Sequence, residues 1–100
     1  MAAVFVVMLD PVLKFVPEFP RVVSVWTSLA PAKFAAELEC DRVRALATGA
    51  DGFEWVGDDA DMWIDGAVWS ASLCDPDGDP LVYACNVVVQ RLELDAPGRS

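Results

Sequence analysis

One window constrains the fold more than any other. From about Pro31 to Thr48 the chain reads as a helix, and it is the one such window in 100 residues. Ser28 is a candidate cap ahead of it. Pro31 suits the first turn, where its missing N–H leaves no bond unmade, and Gly49 stands where helices commonly stop. Arg42 and Arg44 fall near the C-terminal end, where positive charge complements the helix dipole. On a helical wheel Lys33, Glu37, Asp41 and Arg44 gather on one side. Phe34, Leu38, Ala45, Ala35 and Leu46 gather on another, which predicts the core stripe. Glu39 and Arg42, three residues apart, intrude on that stripe and read as an ion pair at its margin.

The flanking segments read as strands. Residues 3–9, AVFVVML, are β-branched and aromatic without polar alternation, the pattern of a strand buried on both faces. Asp10-Pro11 is expected to stop it. Residues 12–16, VLKFV, fit either a strand or one helical turn. Pro17-Glu18-Phe19-Pro20 suits neither ladder nor helix, because each proline lacks an N–H and restricts its predecessor, so it reads as a rigid bend. Residues 21–29 form the second strand, with Val22, Ser24 and Trp26 on one face and Val23, Val25 and Thr27 on the other. Asp51-Gly52 is a turn, and residues 53–57 are a short strand. An acidic loop, Gly57 to Asp61, leads into an alternating strand over 62–74, with Gly66 as a candidate bulge. Asp77-Gly78, between two apolar runs, predicts a tight hairpin turn into a return strand over 81–94. That register sets Cys74 opposite Leu81 and Ser70 opposite Cys85, so Cys74 and Cys85 are not partners. The order β-β-α-β-β-β predicts an α+β fold, a mainly antiparallel sheet of four or five strands packed on one helix. Residues 1–95 read as a single domain and 96–100 as a frayed tail.

Charge is distributed unevenly over this pattern. Between Ala45 and Gln90 stand nine acids: Asp51, Glu54, Asp58, Asp59, Asp61, Asp65, Asp75, Asp77 and Asp79. No Lys, Arg or His accompanies them. The chain has 16 acids and 7 bases, so 16 − 9 = 7 acids balance the 7 bases elsewhere, and the net charge of −9 resides in this stretch. Trp55, Trp63 and Trp69 lie inside it. A field of one sign with aromatic residues in it is a surface suited to a basic partner. Trp63, Trp69 and Asp65 share a strand face if no bulge intervenes. That mixture is unusual for a core and common in an interface hot spot. The competing reading makes the acids a solvated surface and every Trp a core residue.

Several classes are disfavoured. Without His there is no imidazole for acid–base or triad chemistry, and no phosphate-loop, dinucleotide or nucleophile-elbow motif occurs. Asp58 and Asp61 are a carboxylate pair, but acids crowded in a loop read as solvated, so no catalytic residue is assigned. Asp75, Asp77 and Asp79 alternate like the start of an EF-hand loop. That loop needs Gly at its sixth place and Glu at its twelfth, where this chain has Pro80 and Asn86. Cys40, Cys74 and Cys85 show no CxxC spacing and read as buried free thiols in a reducing compartment. No metal or cofactor is expected. Direct nucleic-acid binding is disfavoured, since phosphate contacts need clustered Lys and Arg. The apolar run at the N-terminus has no basic residues before it and is too short to span a membrane, so no membrane association and a cytoplasmic location are expected.

In composition the chain resembles phage-encoded inhibitors, including anti-CRISPR and other DNA-mimic proteins, and bacterial immunity proteins. No motif carries the likeness, so no residue role transfers from it. It implies a small acidic inhibitor that engages a basic, nucleic-acid-binding surface of a partner protein. The partner-binding residues expected are Asp58, Asp59, Asp61, Asp65, Asp75, Asp77, Asp79, Trp63 and Trp69. The alternative is a structural or accessory protein that homo-oligomerises, as a dimer, through an apolar face. Its basis is the hydrophobic fraction of 55%, against about 45–50% in ordinary domains.

Overall fold

The computed structural model describes residues 2–58, 66–78 and 82–94. It has the expected element order: β1 (Ala2–Pro11), β2 (Arg21–Trp26), α1 (Leu29–Leu46), β3 (Glu54–Asp58), β4 (Ala67–Cys74) and β5 (Tyr83–Leu94). The five strands form one sheet in the order β2-β1-β5-β4-β3, and every pairing is antiparallel. The fold is α+β, with α1 packed on one face of the sheet. Because β2 and β3 are the two edges, α1 carries the chain from one edge to the other.

The strands in the middle are the most apolar ones, as burial requires. Val7 and Leu9 of β1 lie beside Val89 and Val87 of β5, and Ala71 and Leu73 of β4 follow on the same face. All six are buried under the helix with Cys85, Phe15 and Val16. The far face is uneven. Its β2–β1 part carries Val22, Val25, Val6 and Met8, whereas its β4–β5 part carries Ser70, Ser72, Asn86 and Gln90. There the Ser72 hydroxyl donates to the Asn86 side-chain oxygen.

The structure corrects several expectations. Asp10-Pro11 does not stop β1, which continues opposite Asn86 and Cys85. At this last strand position Pro11 has no partner on β2, whose ladder ends at Leu9, so its missing N–H breaks no bond there. Residues 12–16 take the helical-turn option, with the Val16 N–H bonded to the Val12 carbonyl. Val22 and Val25 lie on one face rather than two. Val22 stands opposite Met8 and Val25 opposite Val6, because a bulge between them absorbs Val23.

The core stripe of α1 is not the expected one. Ala32, Ala36, Glu39, Cys40 and Val43 are buried against the sheet. Phe34 and Leu38 remain 64% and 53% exposed, and Ala45 and Leu46 are also exposed. Only Ala35 of the expected stripe is half-buried on the core. Small side chains let the helix axis approach the valine-rich sheet closely, and this close packing outweighs the larger area of Phe and Leu. Ser28 occupies the N-cap position with extended dihedrals, but its side chain makes no capping bond. Gly49, with φ of 72°, turns the chain just past the helix.

The β4–β5 hairpin also differs. Leu73 faces Cys85, Ser70 faces Val88 and Cys74 faces Tyr83. With Cys74 opposite Tyr83 rather than Leu81, the register is not that of a two-residue Asp77-Gly78 turn. Instead Asp75 accepts a backbone bond from Gly78 at 3.3 Å, its side chain accepts the Asp77 N–H at 3.0 Å, and its own N–H bonds Val82 at 3.0 Å. Pro76 and Asp77 are thus the central residues, with Pro where its fixed φ fits. Cys74 and Cys85 are not opposite each other, and all three cysteines are free and buried.

Candidate partner-binding surface

The antiparallel topology sorts the acids by end. β3 begins at Glu54 opposite Cys74, and β4 ends there, next to Asp75. Asp51 sits in the turn that enters β3. Asp51, Glu54, Asp75 and Asp77 therefore share one end of the β3–β4 pair. Asp58 stands at the other end of β3, opposite Ser70. Four steps of about 3.3 Å separate it from Glu54, roughly 13 Å. The acids that are near in sequence thus lie at two ends of a hairpin. Asp59, Asp61, Trp63, Asp65 and Asp79 lie outside the described residues.

Four of the bases are engaged elsewhere. Arg42 donates to Glu18 through both terminal nitrogens, at 2.7 and 2.8 Å, and to Glu39 at 2.6 and 2.9 Å. Arg21 lies 3.4 Å from each of the same two carboxylates. The ion pair expected between Glu39 and Arg42 is present, and sequence spacing gave no sign that Glu18 and Arg21 complete a quartet. This quartet fastens the Pro17–Pro20 bend and the start of β2 to α1. It is internally neutral, and Arg42 holds the Glu18 carboxyl down to about 2 by hydrogen bonding and charge. Arg91 pairs with Glu93 at 2.6 Å. Lys14 sits 5.4 Å above the Phe15 ring. By contrast, Asp51, Glu54, Asp75 and Asp77 make no ion pair with any described residue. Four strand spacings of about 4.8 Å put their corner some 19 Å across the sheet from β2.

The aromatic residues divide differently. Trp69 stands opposite Val89 and packs, half-buried, against the core, as does Trp55. Trp26 is the more exposed, at the end of β2, where its indole N–H donates to the Ser24 hydroxyl. Its exposure comes from the edge position of β2, which nothing local in the sequence marks. Gly66 takes a positive φ of 85° just before β4, and its carbonyl accepts the Arg91 N–H. The ladder shifts register just beyond it, between Ala67 and Trp69, which bears out the irregularity expected at this glycine.

Burial pushes the Cys40 thiol up to about 12 and the Cys85 thiol to about 11, and it raises that of Cys74. Thiols held this far from thiolate are poor nucleophiles and poor metal ligands. Among the described residues no cluster of three or more His, Cys, Asp or Glu is placed to hold a metal ion. No helix there is long and apolar enough to cross a membrane. No family model matches this chain, and neither a curated protein nor a solved structure resembles it.

Proposed function

We propose that this chain is a binding protein whose acidic corner engages a basic, nucleic-acid-binding surface on a partner protein, in the manner of an inhibitor that stands in for nucleic acid. One observation carries the reading. Asp51, Glu54, Asp75 and Asp77 stand together without ion pairs to any described residue, while Arg21, Arg42 and Arg91 are held by other carboxylates. Carboxylates with no ion pair among the described residues, at the ends of paired strands, present negative charge at set spacing, as a phosphate backbone does. Such a field raises association rates with a basic groove and opposes docking on an acidic one. Asp58, Asp59, Asp61, Asp65 and Asp79 extend the same charge along the chain, and Trp63 and Trp69 are the proposed aromatic anchors. The activity follows from occupancy, and no catalytic step is assigned.

The test is affinity capture from a lysate at low and high salt, followed by binding kinetics on the captured protein. Two variants are compared with the parent. One neutralises the corner (Asp51→Asn, Glu54→Gln, Asp75→Asn, Asp77→Asn), and the other the acids from 58 to 61 in the sequence (Asp58→Asn, Asp59→Asn, Asp61→Asn). Folding of both variants is checked first by circular dichroism. Binding lost at high salt, with slower association for the corner variant, supports the proposal. Parent-like association by both variants removes the acidic surface from function.

A further inference from the structure

We infer that β2 pairs with β2 of a second copy of this chain, antiparallel about a two-fold axis, to make a continuous ten-stranded sheet. Among the described residues nothing pairs with the outer side of β2. An unpaired edge offers a row of backbone donors and acceptors to another strand. Two of its apolar side chains are open, with Val22 55% and Val25 57% exposed.

The pattern of this strand is complementary to itself. In an antiparallel pair, residues that face each other lie on the same side of the sheet. The bulge at Val23 puts Val22 and Val25 together on the side away from α1. Arg21 and Trp26 stand opposite Leu9 and Phe5, which places both on the helix side. One register then satisfies both sides. It sets Val22 against Val25 of the second copy and Arg21 against its Trp26, and the two-fold axis repeats each pair. Apolar cross-strand pairs stabilise such a ribbon, and a guanidinium beside an indole adds a cation–π contact.

Charge selects this edge over the other. The net charge of −9 opposes any approach of two copies. At β2 the opposition is least, because Glu18 and Glu39 are neutralised by Arg21 and Arg42. At β3, pairing of the strand with its own copy would set Glu54 against Asp58, and like charges in facing positions repel. Each edge thus fits one kind of neighbour: a second copy at β2, a basic surface at β3. A bulge and a length of six residues limit the span that can pair, so a dimer in the micromolar range is expected, about −8 kcal/mol.

Sedimentation of the full chain should give twice the monomer mass at micromolar concentration and above, with no loss at high salt. Val25→Lys takes the net charge from −9 to −8, so general repulsion falls, yet the variant should be monomeric, with the melting temperature that the parent shows when diluted below the dissociation constant of its dimer. A Val22→Cys/Val25→Cys variant should form covalent dimers on oxidation when folded, since the proposed register places the two positions face to face. A parent that stays monomeric to about 100 μM, where a micromolar dimer would be nearly complete, overturns the proposal. So does a dimer that survives Val25→Lys but is lost in Phe34→Lys/Leu38→Lys, which would assign the contact to the outer face of α1. Because the readout is self-association of purified protein, it stands or falls apart from any basic partner.

Discussion

Replacing Arg42 by Met removes one guanidinium that serves two carboxylates through four hydrogen bonds. Glu39 is the costly one to leave, since it is only 6% exposed. Stripping the partner from a fully buried pair costs about 3–5 kcal/mol, and from an exposed pair about 0–1. Here Arg42 is itself 39% exposed and Arg21 stays within 3.4 Å of Glu39. The expected cost lies between those ranges, at about 2 kcal/mol, or a drop of about 8–16 °C in Tm for a domain of this size. The pH dependence has a definite sign. The Glu18 carboxyl is lowered from 4.5 to about 2 in the folded chain. A depressed carboxyl contributes stability that is fully present above its unfolded value and is lost as pH falls through its folded value. The gap in Tm between parent and Arg42→Met should therefore be full at neutral pH and shrink between about 4.5 and 2. Arg42→Lys keeps the charge without the planar fork and should fall between the two. Thermal unfolding followed by circular dichroism across this pH range is the assay. A neutral-pH gap below about 2 °C, or one that persists unchanged at the acid limit, would refute the clasp.

Gly66→Ala should cost about 1–2 kcal/mol from its left-handed backbone alone, and the new Cβ would also meet the Arg91 carbonyl at 3.1 Å. Thiol titration of unfolded, unreduced protein should return three groups, while the folded chain at mildly alkaline pH should react slowly, since burial holds Cys40 and Cys85 at about 12 and 11. Rapid labelling of the folded chain would mean that the space between helix and sheet opens readily.

Local chemistry made the element order legible. Proline and glycine punctuation, β-branched runs and a single helical window are each properties of a few adjacent residues, and the five strands and one helix follow them. What depended on contacts between distant residues was less legible. A helical wheel weights Phe34 and Leu38 by size, but the distance between helix and sheet favoured Ala32, Ala36, Cys40 and Val43. The face of Val22 turned on a bulge set by pairing with β1. The hairpin register turned on Asp75, whose side chain and carbonyl capture the N–H groups that follow. For the candidate surface, sequence gave the excess of acid but not its division between two ends of the β3–β4 pair.

The two proposed surfaces answer to opposite conditions, and their geometry couples them. Added salt screens the acidic corner, whereas it relieves repulsion between two copies and leaves the apolar edge contact intact. Pairing at β2 would place the β3 edges at the two outer limits of a ten-stranded sheet, nine spacings of about 4.8 Å or some 43 Å apart. A dimer would then present two acidic corners related by a two-fold axis. On a single basic site it should bind as the monomer does. On a repeated basic surface with sites at that spacing, the second contact becomes intramolecular and the apparent affinity rises about 10²-fold or more. Val25→Glu separates these cases, because it adds a carboxylate while opposing self-pairing. Simple charge attraction predicts tighter binding of this variant on every basic surface. Loss of the dimer predicts weaker binding on the repeated surface alone, with the single site unchanged or slightly improved. Tighter binding on both would show that charge, and not paired corners, governs the encounter.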